Sequence, residues 1–210
     1  MFFFLPFLFV MTDLKELRQH LRNNRRQIAS VQCHSAQLAI IEWITALKVY
    51  QAARRIAGYW AKDGELDVTA LLVRARADGK MTYLPVMTGI GQPLLFAPYT
   101  STTLLQDNRY KIPEPVVPAN QIIKPIQLDL VLTPLVGFDD EGLRLGMGGG
   151  FYDRSFAFRR RADALPQPCL IGIAYESQHL PQLLPKRDWD IPLDAVITES
   201  GVYRWHTELL

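Results

Sequence analysis

Residues 128–154 read LDLVLTPLVGFDDEGLRLGMGGGFYDR, and the fold turns on this stretch. It opens with a nearly continuous apolar run, residues 128–138, that includes β-branched side chains. A strand that is apolar on both faces is buried on both, as in parallel sheets covered by helices. A glycine-rich segment comes next, and a helix is expected over residues 152–161. Strand, glycine loop and helix in that order form the repeating unit of a wound α/β sheet.

The same alternation extends to both sides. Asp13 with Glu16 three residues later reads as a capping box, and Leu14, Leu17, Leu21 and Ile28 keep helical spacing. A second helical stretch is expected over residues 36–50. Residues 55–61 (RIAGYWA) read as a strand and Asp63-Gly64 as a turn. Asp67 then caps a helix over residues 68–77 that Gly79 stops. Residues 81–87 (MTYLPVM) and 94–99 are further strands, separated by the Gly89/Gly91 turn. Pro113, Pro115, Pro118 and Pro125 make the next segment an extended crossover, because proline lacks the amide donor that a helix needs. Residues 170–175 (LIGIAY) and 195–198 supply the last strands. The expected class is α/β: a wound, mostly parallel sheet flanked by helices in a Rossmann-like three-layer architecture.

Composition narrows the function without naming it. The chain has 210 residues, enough for one well-buried core, and its 49% hydrophobic and 21% charged residues are ordinary for a globular protein. Its 23 basic and 21 acidic residues nearly cancel, so any basic surface must be local and no nucleic-acid partner is expected. Cys33 and Cys169 have neither the spacing of a zinc knuckle nor that of a disulfide framework. They read as reduced thiols of a cytoplasmic protein. The first ten residues, MFFFLPFLFV, are too few to span a bilayer, which needs roughly 20 apolar residues. They also lack the positive region of a signal peptide. Residues 1–10 are therefore expected to be an apolar leader outside the fold, with translation from Met11 and a single domain over residues 11–210. A short membrane-associating anchor is the alternative, and no stable membrane association is expected.

Six of the 13 glycines fall between Gly137 and Gly150. Bare backbone before a helix can approach a ligand closely, adopt positive φ and aim several N–H groups at an anion. Arg144 and Arg154 flank the loop with donors suited to phosphate, and Asp153 offers a hard oxygen for Mg²⁺. On spacing alone, the cluster is equally compatible with a flexible linker. It lacks the lysine of the Gly-x-x-x-x-Gly-Lys-Ser/Thr loop and misses the dinucleotide Gly-x-Gly-x-x-Gly spacing.

The run from Leu130 to Arg154 resembles the signature of the 5-formyltetrahydrofolate cyclo-ligase (5,10-methenyltetrahydrofolate synthetase) family. DGELD at 63–67, YLPV at 83–86 with YKIPEP at 110–115, and WDIPLDAVIT at 189–198 agree in order and distance. The resemblance runs from about Asp13 to Thr198, nearly the whole chain. It implies an enzyme that uses ATP as co-substrate, with Mg²⁺, to close 5-formyltetrahydrofolate to 5,10-methenyltetrahydrofolate, releasing ADP and phosphate. ATP would phosphorylate the formyl oxygen and N10 would attack the activated carbon.

By position, the resemblance makes Arg144, Leu145, Gly146, Met147, Gly148, Gly149, Gly150, Phe151 and Tyr152 the ATP loop. Met147 to Phe151 overlap the folate contact. Lys15 and Arg18 on the first helix supply cations to the nucleotide. Trp60, Glu65 and Tyr110 fall on the folate side, Glu65 and Arg144 are the candidate catalytic residues, and Asp153 and Asp190 are the metal ligands. Some family members carry Arg or Lys where this loop has Met147 and Gly149, so the positive charge is expected from Arg144, Arg154 and the first helix. A monomer is expected.

Some of these residues have plainer readings. The basic stripe Lys15, Arg18, Arg22 and Arg25 would ordinarily be a solvated helix face, and only Lys15 and Arg18 rise above that through the resemblance. His20, His34, His179 and His206 sit in no ligand spacing and show no acid partner. The rival function is another nucleotide- or sugar-phosphate-binding transferase on a similar sheet, which would keep the glycine loop but need neither Glu65 nor Asp190.

Overall fold

In the computed structural model, which describes residues 13–160 and 167–205, the expected central strand lies at the middle of a seven-stranded sheet. The apolar leader, Met11 and His206 lie outside the described residues. The strands are β1 (Arg55–Ala57), β2 (Met81–Met87), β3 (Leu94–Pro98), β6 (Leu130–Pro134), β9 (Cys169–Ile173), β10 (Ala195–Thr198) and β11 (Gly201–Arg204). Two small hairpins stand apart from it, β4 (Leu105–Asp107) with β5 (Pro113–Pro115), and β7 (Gly137–Phe138) with β8 (Arg144–Leu145). In spatial order the main sheet runs β11-β10-β9-β6-β1-β2-β3. The five inner strands are parallel, and β3 and β11 close the two edges antiparallel.

Side-chain alternation along the inner strands divides the core into two layers. Leu130 and Leu132 of β6, with Ile171 and Ile173 of β9, pack on one face. There they meet Ile40 and Ile44 of α2 (Ser30–Ala46) and Leu71 and Leu72 of α4 (Thr69–Ala77). Val131 and Leu170 point the other way, to Phe96, Phe138 and Phe156. Helix α1 (Leu14–Arg26) packs Leu17 and Leu21 on Val136, Leu143 and Leu145, near the carboxyl end of β6. Among the described residues, no helix is long and apolar enough to cross a membrane.

The departures from the sequence reading have local causes. Strand β6 stops at Pro134, which has no N–H to continue the ladder, and the chain resumes as the separate β7–β8 hairpin. The expected 55–61 strand ends at Ala57. At Gly58 the chain passes α4 so closely that a Cβ would come within 2.9 Å of Leu72 Cδ1. The second helix starts earlier, at Ser30, and breaks at Leu47 before α3 (Lys48–Ala52). The helix expected over 152–161 is a short α5 (Phe151–Ser155) followed by a 3₁₀ turn, Ala157–Arg160. Asp13 caps α1, its Oδ1 accepting from the Lys15 amide at 2.7 Å, but Glu16 does not close the expected capping box. Asp67 likewise accepts from the Thr69 amide at 2.8 Å.

The topology places the site. From β1 the chain winds through α4 to β2 on one side, and from β6 through α5 to β9 on the other. The paired strands β1 and β6 therefore form a switch point, and the crevice beyond their carboxyl ends is where such sheets bind ligands.

Packing around β9 leaves no spare room. A Cβ at Gly172 would lie 2.7 Å from both Leu135 Cδ2 and Leu193 Cδ1. Gly172→Ala is expected to destabilise the protein by about 1–3 kcal/mol, the usual cost of overpacking a filled core. Urea unfolding of the two proteins measures this, and coincident transitions would show that the sheet and its cover can separate freely.

Candidate active site

Beyond β1 and β6 lies one cleft of about 1270 Å³. Its walls include one face of α1, the loop after β1, residues of the β2–β3 and β4–β5 hairpins, the end of β6, the glycine loop, and residues 184–190. Of the predicted site residues, Arg18, Trp60, Glu65, Tyr110, the whole stretch Arg144 to Asp153, and Asp190 line it together. Lys15 does not. The cleft-facing row of α1 is Leu14, Arg18, Arg22 and Arg26, stepping by four, and Lys15 lies about 100° round the helix from it.

The glycine loop has the backbone freedom that its composition implies. Gly148 has φ +93° and Gly150 φ +63°, and nothing lies within 4 Å of where a Gly148 Cβ would stand. Its flanking arginines, expected to supply positive charge to a ligand, are instead occupied in bracing the loop. Arg144 donates from Nη2 to Asp153 Oδ1 at 2.5 Å and from Nη1 to the Ile191 carbonyl. The Ile191 amide donates to the same Asp153 oxygen at 3.2 Å. Arg154 donates from Nη2 to the Gly149 carbonyl at 2.6 Å and stacks over Phe151. From α1, Arg18 donates to the Gly146 carbonyl at 2.9 Å. Further cations reach the cleft from Arg22, Arg26, Lys62, Arg160 and Arg187, none of which the sequence reading placed there.

Arg22 and Arg25 are not the solvated face expected of them. Asp63, in the left-handed region at φ 57°, takes Arg22 Nε at 2.6 Å and also the Arg26 guanidinium. Arg25 is buried and donates from Nη1 to the Leu135 carbonyl at 3.0 Å and from Nε to the Asp63 carbonyl at 3.1 Å. The reason is tertiary: the Asp63-Gly64 turn docks directly on the last turn of α1, with Gly64 against the Arg25 carbonyl. Burial alone would raise the Asp63 carboxyl, but hydrogen bonds from Arg22 and Arg26 outweigh it and hold the group below the usual range.

Glu65 sits deeper in the same wall. Its Oε2 accepts from the Lys62 amide at 3.1 Å, and its Oε1 lies 3.8 Å from Arg25 Nη2. Burial pushes its carboxyl above the ordinary value, with Arg25 the main opposing influence. Tyr59 and Tyr152 are pushed up first by burial and then by the Glu65 charge, so both phenols keep their protons. Lys62 also donates from Nζ to the Tyr110 carbonyl and, at 3.3 Å, to that of Lys111. It thereby ties the hairpin tip to the loop that carries Glu65. Tyr110 meets Phe151 edge-on at 6.3 Å between ring centroids.

Asp153 and Asp190 both face the cleft, and each keeps an oxygen outside the hydrogen bonds found among the described residues. Among those residues no cluster of three or more His, Cys, Asp or Glu could cage a metal. Away from the cleft, His179 does have an acid partner, contrary to the sequence reading. Its Nε2 is 2.7 Å from Asp140 Oδ1 and its ring stacks on Phe138 at 4.9 Å. A pair 39 residues apart leaves no spacing signal.

The model of the 5-formyltetrahydrofolate cyclo-ligase family matches residues 10–199. The chain belongs to that family. It is 41% identical to the 5-formyltetrahydrofolate cyclo-ligase of Escherichia coli (strain K12) over 154 residues, covering 73% of this chain and 82% of the relative. To the cyclo-ligase of Haemophilus influenzae it is 34% identical over 184 residues, covering 87% and 96%. The NMR structure of Aquifex aeolicus 5,10-methenyltetrahydrofolate synthetase superposes with a TM-score of 0.76 at 29% identity, over 91% of this chain and 92% of that one. The protein is thus an enzyme of the ligase class, and the wound α/β sheet is the family's fold.

The three arginines on Asp63 link charge to stability. A carboxyl held low in the folded state contributes stability above its unfolded value and loses it as pH falls through the folded value. Asp63→Asn tolerates the same left-handed backbone, removes the charge and turns one of the two accepting oxygens into a donor. It is expected to cost about 1–2 kcal/mol at neutral pH and nothing once the wild-type carboxyl is protonated. Thermal melts of both proteins across the acid range test this; parallel curves would remove Asp63 from the brace.

Proposed function

We propose that the cleft holds 5-formyltetrahydrofolate and ATP side by side and closes the formyl carbon onto N10. The observation that carries this is the meeting of two unlike walls in one space. The glycine loop with Arg18 forms one, and Trp60, Glu65 and Tyr110 form the other. At about 1270 Å³ the cleft exceeds the 300–1,000 Å³ typical of a single small ligand, which leaves room for two.

The chemistry suits such a site. A formyl oxygen is a poor leaving group. Its attack on the γ-phosphorus forms an O–P bond, breaks the bond to the β-phosphate oxygen and releases ADP. The N10 lone pair then adds to the activated carbon, phosphate leaves with the C–O bond pair, and N10 loses its proton. Positioning and charge neutralisation are what a protein contributes to such transfers. The bare backbone from Gly146 to Gly150 turns amide donors towards the phosphates at the start of α5. Arg18 and Arg154 fix that backbone through its carbonyls. Arg144 fixes Asp153 and, through the Ile191 carbonyl, the segment carrying Asp190. Trp60 and Tyr110 flank the flat folate ring system, and the Glu65 carboxylate faces the positive charge that develops as the ring closes.

Asp153 and Asp190 fit the sparse protein ligation of Mg²⁺, which takes one or two carboxylates and fills its octahedron with waters and phosphate oxygens. There it would neutralise phosphate charge. Lys15, exposed on α1 and outside the cleft wall, is the weakest of the assigned nucleotide contacts.

The direct test follows the methenyl absorbance when purified protein meets 5-formyltetrahydrofolate, ATP and Mg²⁺. Absorbance that grows only with all three supports the reading, and its absence would sink it. Asp153→Asn and Asp190→Asn are each expected to raise the Mg²⁺ requirement by about tenfold, an amide being the weaker ligand for a hard cation. An unchanged Mg²⁺ titration removes that residue from the metal site. Gly148→Ala meets no steric neighbour but forces an alanine to φ +93°. It is expected to raise the KM for ATP about tenfold or more while the melt moves by only a few degrees. Wild-type ATP kinetics would reduce the loop to a linker.

A further inference from the structure

Charge is costly to bury, and the described part of α1 buries one: the Arg25 side chain, only 1% exposed. Other residues also dock the helix. Leu17 and Leu21 already seat α1 on Val136, Leu143 and Leu145, and Arg22 and Arg26 already clasp Asp63 from the rim. Among the arginines of α1, Arg25 is the one that comes within ion-pair distance of Glu65. Its Nη1 and Nε are anchored to the Leu135 and Asp63 carbonyls at 3.0 and 3.1 Å, which leaves Nη2 between Asp63 Oδ2 at 3.5 Å and Glu65 Oε1 at 3.8 Å. The Lys62 amide holds the other carboxylate oxygen.

We propose that Arg25 is a positioning residue for the reaction, pairing across 3.8 Å with the Glu65 carboxylate in the wall of the cleft. The inference rests on the reading of Glu65 given above. Leu135 directly follows the central strand, so the guanidinium carries the geometry of the sheet's carboxyl edge to Glu65. It acts through Glu65 and touches neither substrate. The 3.8 Å contact is an ion pair and not a hydrogen bond, so its effect is on charge more than on angle. The groups facing Glu65 are Arg25 and Arg22 from α1, Asp63 and the Lys62 amide from its own loop, and the Tyr59 and Tyr152 phenols. Of these, Arg25 is the leading influence that keeps the carboxylate ionised against burial. Without it the carboxyl takes up a proton at a higher pH, and the acid limb of activity moves up with it.

The test is steady-state kinetics against pH on Arg25→Met, Arg25→Lys, Glu65→Gln and the double variant Arg25→Met/Glu65→Gln. Arg25→Met is expected to lower kcat/KM for 5-formyltetrahydrofolate about tenfold or more, leave the KM for ATP within about twofold, and shift the acid limb to higher pH. Arg25→Lys is expected to bring the limb back towards the wild-type position. With Glu65→Gln already present, removing Arg25 is expected to cost less than about threefold more, because the two act as one unit. Equal losses for both substrates with an unmoved acid limb would make Arg25 a mere staple of α1 and overturn the proposal. Should Arg25→Met fail to fold, Arg25→Gln removes the charge while its amide, near the place of Nε, can still donate to the Asp63 carbonyl, and an unmoved acid limb there overturns the proposal equally. Near-normal turnover of Glu65→Gln would overturn the reading of Glu65 and this inference with it. A defective Glu65→Gln beside an Arg25→Met with wild-type pH dependence overturns the role of Arg25 alone.

Discussion

Strands Arg55–Ala57 and Leu130–Pro134 lie side by side and parallel, yet the chain leaves them in opposite directions. Nothing can cover the gap between two crossovers that wind apart, so a crevice opens at their carboxyl ends. The loops leaving these strands deliver Trp60 and Glu65 from one side and the glycine-rich run from the other. Both strands are buried on both faces, so the register that fixes this meeting cannot slip by a residue without turning core side chains outward. The site inherits its precision from the most deeply packed part of the molecule.

Helix α1 spans the gap and joins the two walls. Arg18 holds the glycine loop at the Gly146 carbonyl, while Arg22, Arg25 and Arg26 hold the Asp63-Gly64 turn, about one to two helical turns further on. The exposed members of that set contribute little individually, as surface ion pairs do. Their combined geometry counts for more, because one rigid helix sets the distance between the glycine-loop backbone and the Glu65 carboxylate. The apolar seam of Leu17 and Leu21 supplies the docking energy and leaves the arginines to set position.

The cleft's electrostatics divide in the same way. Arg144 and Arg154 are spent on Asp153, Ile191 and Gly149, so the shape of the glycine loop is maintained by its own flanking cations. Field from the rim comes from Arg22, Arg26, Lys62, Arg160 and Arg187. Such an arrangement gives a preformed loop and an attractive mouth at once, two tasks that one lysine within the loop would otherwise combine.

Periodicity and punctuation carried most of the fold in the sequence. The doubly apolar run at 128–138, the caps at Asp13 and Asp67, and MTYLPVM at 81–87 each announce themselves within a few residues, because burial period and capping are short-range effects. The glycine loop was legible for the same reason, and the ordered motifs around it pointed to the family. The partners of charged groups were not legible. Arg18 meets Gly146 across 128 positions, Arg25 meets Leu135 across 110, and His179 meets Asp140 across 39. A stripe of arginines looks the same in sequence whether water or a buried carboxylate faces it. Only the docking of the 63–65 turn onto α1 decides which, since desolvation and ion pairing depend on what the folded chain brings within a few ångströms.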